Sequence, residues 1–237
     1  MEPAEYALMD VAEDRMWWYR ALRRRVIDAL TGVRGDVLDA GCGTGGLLAN
    51  LRAERPDLHL VGVEWANPAA RRAAAKSGTP VVRGSVNALP FAEASFNAAI
   101  TADVLCHRAV EPETALSELH RVLRPGGQLI VNMPAYAWLL SAHDHQVHNA
   151  RRHTANQLAA LLRQSGFRQV RARYWNGLLL PLVVVQRKVL ARGRAASDVA
   201  PFPPWLDAML HAATEFERHL RFRLPVGSSV LAIAERP

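Results

Sequence analysis

Two stretches of this 237-residue chain concentrate residues able to do chemistry. The first is Val37-Leu38-Asp39-Ala40-Gly41-Cys42-Gly43-Thr44-Gly45-Gly46, an apolar run that ends in a carboxylate and passes through glycines into a segment of helical spacing. Gly41, Gly43 and Gly45 let backbone approach a ligand closely, and the helix that follows offers unpaired N–H groups. The spacing is D-x-G-x-G-x-G, not the G-x-G-x-x-G of dinucleotide sites. A carboxylate at that strand end repels a pyrophosphate and suits a cation. Leu60-Val61-Gly62-Val63-Glu64 also ends in an acid, where a ribose diol needs an acceptor.

The second stretch runs from Pro134 to Thr154 and holds Tyr136, Trp138, Asp144, Arg151, Arg152 and four histidines, at 143, 145, 148 and 153. No regular i, i+4 histidine pair falls on a clear helix, and Asp144 is the only acid nearby, so no metal is expected. His143 oriented by Asp144 makes a base poised near neutral pH, or else a His–Asp pair that pins the loop to the core. Tyr136 and Trp138 form an apolar wall. Arg151 and Arg152 either bind a carboxylate or phosphate of a substrate or cap the loop. His107, in Asp103-Val104-Leu105-Cys106-His107-Arg108, is a second candidate base, with packing or capping as its alternative.

The elements that position these groups follow from periodicity. Short apolar runs at 36–40, 58–63, 80–83, 97–101 and 128–132 alternate with helical spacing at 46–53, 68–77 and 114–123, which predicts a parallel sheet covered on both faces. Residues 13–30 read as one amphipathic helix, 155–164 as another, and 167–175 and 229–234 as further strands. Residues 176–226 are too long for a simple connection and read as a helical insertion or lid, with Pro201, Pro203 and Pro204 marking a kinked crossing. Half the residues are apolar and only Cys42 and Cys106 carry thiols, which excludes a disulfide scaffold or a cysteine-rich zinc site. The longest apolar run, 178–185, is interrupted by Pro181 and falls far short of the about 20 residues that span a bilayer. The first residues are acidic, unlike a secretory leader, so a cytoplasmic protein is expected.

Five motifs in register, V-L-D-A-G-C-G-T-G, V-G-V-E, G-S-V-N-A-L-P-F, F-N-A-A-I-T-A-D-V-L-C-H and L-x-R-V-L-R-P-G-G, resemble the class I S-adenosylmethionine-dependent methyltransferases over roughly residues 36–175. The stretch P-A-Y-x-W-L-x-S-x-H-D, with Trp17-Trp18-Tyr19 near the N-terminus, is similar to a bacterial, UbiE-like small-molecule subfamily, departing from it at His153, where Tyr is usual. The resemblance implies an α/β, Rossmann-like doubly wound sheet, mostly parallel with an antiparallel last strand. An N-terminal helical cover (1–34), a cofactor core (35–175), a helical lid (176–226) and a final strand (227–237) would make one domain. It also implies S-adenosyl-L-methionine as cofactor, whose sulfonium and ammonium suit the acidic strand ends. Asp39, Gly41, Cys42, Gly43 and Gly45 would cradle its methionine part and Glu64 its ribose. Trp65 would lie on the adenine, with Ser85 and Val86 at its edge, Val86 otherwise being packing. Asp103 either touches the cofactor or starts the next helix. The family usually has Asp at the positions of Ser85 and Asn97.

Methyl transfer from a sulfonium requires that the nucleophile be held in line, water be excluded, and a proton be taken from a hydroxyl or thiol. Trp18 and Tyr19 join Tyr136, Trp138, Arg151 and Arg152 as candidate acceptor contacts, since three adjacent aromatics on a helix, about 100° apart, cannot all face one core. The net charge of +7 is uneven: residues 151–194 carry ten basic and no acidic residues, and residues 36–144 carry nine and eleven. Aromatic residues do not interleave with those bases, so nucleic acid is not the expected partner. A lid over a small-molecule pocket is the preferred reading of the segment. A peripheral contact with the inner membrane face, for a lipid or quinone acceptor, is the alternative.

Overall fold

The computed structural model describes residues 3–141, 144, 147–190, 202–220 and 224–237. Its centre is a seven-stranded sheet of β1 (Gly35–Ala40), β2 (Leu58–Glu64), β3 (Val81–Arg83), β4 (Phe96–Ala102), β5 (Leu123–Pro134), β6 (Arg168–Trp175) and β7 (Ser229–Glu235). The order is β3-β2-β1-β4-β5-β7-β6. The first five strands are mutually parallel, and β7 runs antiparallel between β5 and β6. Chain direction across the sheet reverses between β1 and β4, so their carboxyl ends open a crevice there.

Alternate residues of the central strands feed two cores. Val37, Ala98, Ile100 and Ile130 pack on one face with α2 (Trp17–Ala29), α3 (Gly46–Glu54) and α4 (Asn67–Ser77). Leu38, Ala99, Leu129 and Val131 pack on the other with α5 (Pro112–Val122) and α6 (Ala155–Gln164). Burial on both faces explains why these strands read as continuous apolar runs. Leu116 and Leu119 of α5 and Leu158 and Leu162 of α6 are fully buried, each such side chain contributing about 1.5–3 kcal/mol. Thr154 caps α6 reciprocally with Gln157, whose amide donates to its hydroxyl at 3.2 Å while the Gln157 side chain accepts from the Thr154 amide at 2.8 Å.

The predicted helix over 13–30 is two helices. Helix α1 (Pro3–Arg15) ends where Met16 is extended, with ψ 134°, and α2 begins at Trp17. The cause is tertiary: the Trp17 amide donates to Asp207 Oδ1 at 2.7 Å, so a distant carboxylate caps α2 and frees α1 to turn over the glycine loop. Asp207 belongs to α8 (Pro204–His219), which packs on α2. A short α7 (Leu180–Val185) continues into a π turn at Gln186–Leu190. Pro203 and Pro204 open α8; Pro201, Arg192 and Arg194 lie outside the described residues. No helix among the described residues is long and apolar enough to cross a membrane.

Candidate active site

A cavity of about 1140 Å³ opens at the carboxyl ends of β1, β2 and β4. The loop after β1 builds one wall. Gly41 and Gly45 have φ of +87° and +89°, where only glycine is unstrained. The amides of Gly41 and Cys42 both donate to Val63 O, at 2.8 and 2.9 Å, and that of Gly43 donates to Glu64 Oε2 at 3.1 Å, so the turn is tied to β2. Gly45 itself does not line the cavity: a Cβ there would meet Ala73 Cα of α4 at 2.6 Å. It serves helix packing, unlike the expectation that it would cradle a ligand.

Three carboxylates crowd this wall. Asp39, 3% exposed, has an Oδ2 with no hydrogen-bond partner among the described residues. Burial, reinforced by Glu13 and Glu64, pushes its carboxyl up to about 7. Glu64 Oε1 also accepts from the Ala66 amide at 2.9 Å. Glu13 comes from α1, accepting from Thr44 Oγ1 and Lys76 Nζ, each at 2.7 Å. An unsatisfied buried carboxylate oxygen beside two further acids fits a cationic ligand and not a phosphate.

Trp65, 69% exposed, and the half-buried Ser85 lie on the same rim with buried Val86. The Ser85 hydroxyl accepts from the Asn87 amide at 3.1 Å, and Asn87 is also on the rim. Asn97 stands at the far end of its strand, its Oδ1 accepting from the Asp36 amide at 3.0 Å. Trp17, Trp18 and Tyr19 all reach the cavity because it lies at the start of α2, past the helix's own core face. Trp18 stacks on Trp175 at 5.8 Å between ring centroids.

Asp103 follows β4 with φ +55° and lines the cavity. Burial raises its carboxyl to about 7, although Asn132 Nδ2 donates to Oδ1 at 2.9 Å. Trp175 Nε1 in turn donates to Asn132 Oδ1 at 2.9 Å. His107 also faces the cavity, stacked on His148 at 5.8 Å, and burial with that neighbour pushes it down to about 4.

The histidine-rich loop departs from its reading. His143 lies outside the described residues. Asp144, 1% exposed, is saturated by other partners: Arg152 Nη2 at 2.7 Å, Arg187 Nη1 at 3.0 Å, and the Ser141 amide and hydroxyl. Arg152, read as either a substrate contact or a cap of the loop, is buried in an ion pair with Asp144 at the cavity wall. Arg151 is off the cavity, donating to the carbonyls of His107 and Val110 at 2.8 and 2.9 Å. Tyr136 and Trp138 are off it too. The backbone turns at Tyr136, φ +57°, and stacks its ring on Trp138 and Tyr174 at 5.7 and 5.3 Å. Burial and Tyr174 raise the Tyr136 phenol to about 12. Among the described residues no cluster of three or more His, Cys, Asp or Glu is disposed to hold a metal.

Sequence reasoning missed Met9, Glu13 and Met16 of the cover, and Val183, Arg187 and Phe202 around α7 and α8, all of which line the cavity. The only sequence signal for the first group is the acidic spacing Asp10, Glu13, Asp14, whose partner Lys76 lies some 60 residues away.

A sheet of this order, with a glycine turn suited to a cation after its first central strand, defines the class I S-adenosylmethionine-dependent methyltransferases. Residues 38–131 match the family described as Methyltransferase domain. The O-methyltransferase rstn1 of Aspergillus nomiae is 31% identical over 186 residues, 71% of this chain and 78% of the relative. The demethylmenaquinone methyltransferase of Thermus thermophilus is 36% identical over 130 residues, 52% of this chain and 56% of its own length. In fold, the chain is similar to a geranyl diphosphate C-methyltransferase from Streptomyces coelicolor solved with S-adenosyl-L-homocysteine, at TM-score 0.62 and 14% identity, covering 92% of this chain and 79% of the other. The chain belongs to this methyltransferase family, and S-adenosylmethionine is its cofactor.

Proposed function

We propose that the protein transfers a methyl group to an oxygen of a small-molecule acceptor, with Asp103 taking the proton. The observation that carries this is a buried carboxylate facing the cavity and held near neutral pKa, which matches a general base working near pH 7. His107, pushed down to about 4, is neutral there and a weaker proton acceptor; it serves to position the hydroxyl. An amine acceptor needs no such base until after transfer. The relative named an O-methyltransferase supports the same acceptor atom.

The cofactor supplies, when bound, a methyl on a sulfonium that is displaced in line. Asp39 would face its ammonium, the amides after Gly41 its methionine part, Glu64 its ribose, and Trp65, Ser85 and Val86 its adenine. Helix α1, Trp17 and Trp18 exclude water over that end. Replacing Asp103 by Asn is expected to lower kcat by about 10²–10⁴-fold, with affinity for S-adenosyl-L-homocysteine kept within about threefold. Lost affinity with unchanged kcat would make Asp103 a cofactor contact instead.

A second reading, a lipid or quinone acceptor reached at a membrane surface, draws on exposed Leu182, Val185, Trp205, Met209 and Phe216 of α7 and α8. The relative named for demethylmenaquinone points the same way. Salt-sensitive co-sedimentation with anionic liposomes favours it; none at low salt removes it.

A further inference from the structure

Among the described residues, the buried polar atoms that lack a hydrogen-bond partner and belong to cavity-lining residues are Asp39 Oδ2, Trp17 Nε1 and Asn176 Oδ1. Asp39 would meet the ammonium of the cofactor, and Trp17 stands in the cover over that end. Asn176 has no such assignment. It is 1% exposed, and a buried amide oxygen without a partner is disfavoured until something bound supplies a donor.

Asn176 directly follows β6, in the half of the sheet away from the glycine turn. Trp175 pairs with Ser229 at the start of β7, and Ser229 pairs with Pro134 at the end of β5. Pro134, Asn176, Ser228 and Ser229 all line the cavity, so they wall the side beyond β4, where the acceptor must lie. The Asn176 amide is held in place: Nδ2 donates to Ser228 Oγ at 2.8 Å, which leaves Oδ1 as its free end. Its backbone has φ +60°, a left-handed conformation that asparagine tolerates better than most residues. The position is also tied to Asp103. Asn132 Nδ2 donates to Asp103 Oδ1 and Trp175 Nε1 donates to Asn132 Oδ1, each at 2.9 Å, and Trp175 immediately precedes Asn176. In the sheet, β4 and β6 are nevertheless separated by β5 and β7, three strand spacings or roughly 14 Å.

We propose that Asn176 Oδ1 is a specificity-determining contact for the methyl acceptor, accepting a hydrogen bond from an O–H or N–H at the end of the molecule remote from the methylated oxygen. This rests on the small-molecule O-methylation reading above and narrows it to acceptors that carry a second donor. A methoxy group or a hydrogen at that end leaves the amide oxygen unpaired in a buried wall. A site built to meet a donor discriminates against the analogue that lacks one.

The test uses the whole protein loaded with S-adenosyl-L-homocysteine and titrated calorimetrically with 4,4′-biphenol, 4-hydroxy-4′-methoxybiphenyl and 4-phenylphenol. Each keeps one hydroxyl for the reacting end, and only the first has a donor at the other. The wild-type protein is expected to bind the biphenol at least about tenfold more tightly than either of the others. Asn176→Gly, which adopts φ +60° without strain, should bring the three within about threefold of one another. Asn176→Asp, which keeps an accepting oxygen, should retain the preference. Affinity for S-adenosyl-L-homocysteine should stay within about threefold in both variants. A purely structural Asn176 would lower Tm on substitution without changing the ratio of affinities. Equal binding of the three by the wild type, binding of none at millimolar concentration, or a preference that survives Asn176→Gly overturns the proposal. Tighter binding of the methoxy compound than of the biphenol overturns the choice of a donor. Because the readout is binding, its failure is separate from a failure of O-methylation, which the Asp103 variant reports.

Discussion

Asp39 ends β1 with an unpartnered carboxylate oxygen, and burial with Glu13 and Glu64 nearby lifts its carboxyl to about 7. Below that pH it is protonated and neutral; above it the carboxylate is present to meet the ammonium of the cofactor. Affinity for S-adenosyl-L-homocysteine, which carries the same ammonium, should therefore rise by up to about tenfold per pH unit between pH 5.5 and 7 and level off above. Isothermal titration at stepped pH measures it. Asp39→Asn should bind weakly at every pH with the slope removed; a slope that persists in the variant would assign the titration to another group. Asp103 shares the burial that raises its pKa, but one of its oxygens already accepts from Asn132, which works against the rise. Environment assigns the two carboxylates different work.

At the scale of elements, α1 is tied over the glycine turn by charge. Lys76 of α4 reaches Asp10 Oδ1 and Glu13 Oε1, each at 2.7 Å, and Asp14 at 3.2 Å. Burial nevertheless raises the Glu13 pKa, so the pair is strained by desolvation. Lys76→Met should leave Glu13 buried without its cation, costing roughly 3 kcal/mol locally. Amide exchange in α1 is expected to accelerate by about a hundredfold while β1, β4 and β5 keep their protection. Uniform acceleration across the sheet would show that α1 is part of the global folding unit. The same cover explains why Met9 and Met16 face the cavity although nothing in their spacing marks them.

At the scale of the whole molecule, a cofactor that bridges the β1 loop, β2 and the N-terminal cover binds the native chain alone and should stabilise it as one unit. At a hundredfold excess over Kd, S-adenosyl-L-homocysteine contributes about 2.7 kcal/mol, a rise in Tm of roughly 5–10 °C for a chain of this size. Differential scanning calorimetry checks it. Gly41→Val, at φ +87° and against Val104, should abolish the shift as well as lower the starting Tm.

The central strands were legible in the sequence because a strand buried on both faces is apolar over most of its interior, as in 36–40, 97–101 and 128–132; their order was decided by the tertiary structure. The glycine turn was legible because left-handed backbone at Gly41 and Gly45 admits few other residues. An acid at each strand end was enough to choose a cationic ligand over a phosphate. Local spacing does not carry the remainder. The break at Met16 depends on a carboxylate at 207, and the charge on Glu13 depends on Lys76. Tyr136, Trp138 and Arg151 look like substrate contacts in a row of aromatic and basic residues, yet at a positive-φ turn the Tyr136 ring stacks on Tyr174, Trp138 stacks on Tyr136, and hydrogen bonds tie the arginine to backbone carbonyls. The sequence by itself determined the fold, the cofactor and the family. Only the tertiary structure decided which side chains meet in the cavity, because burial and pairing between distant residues set both their direction and their charge.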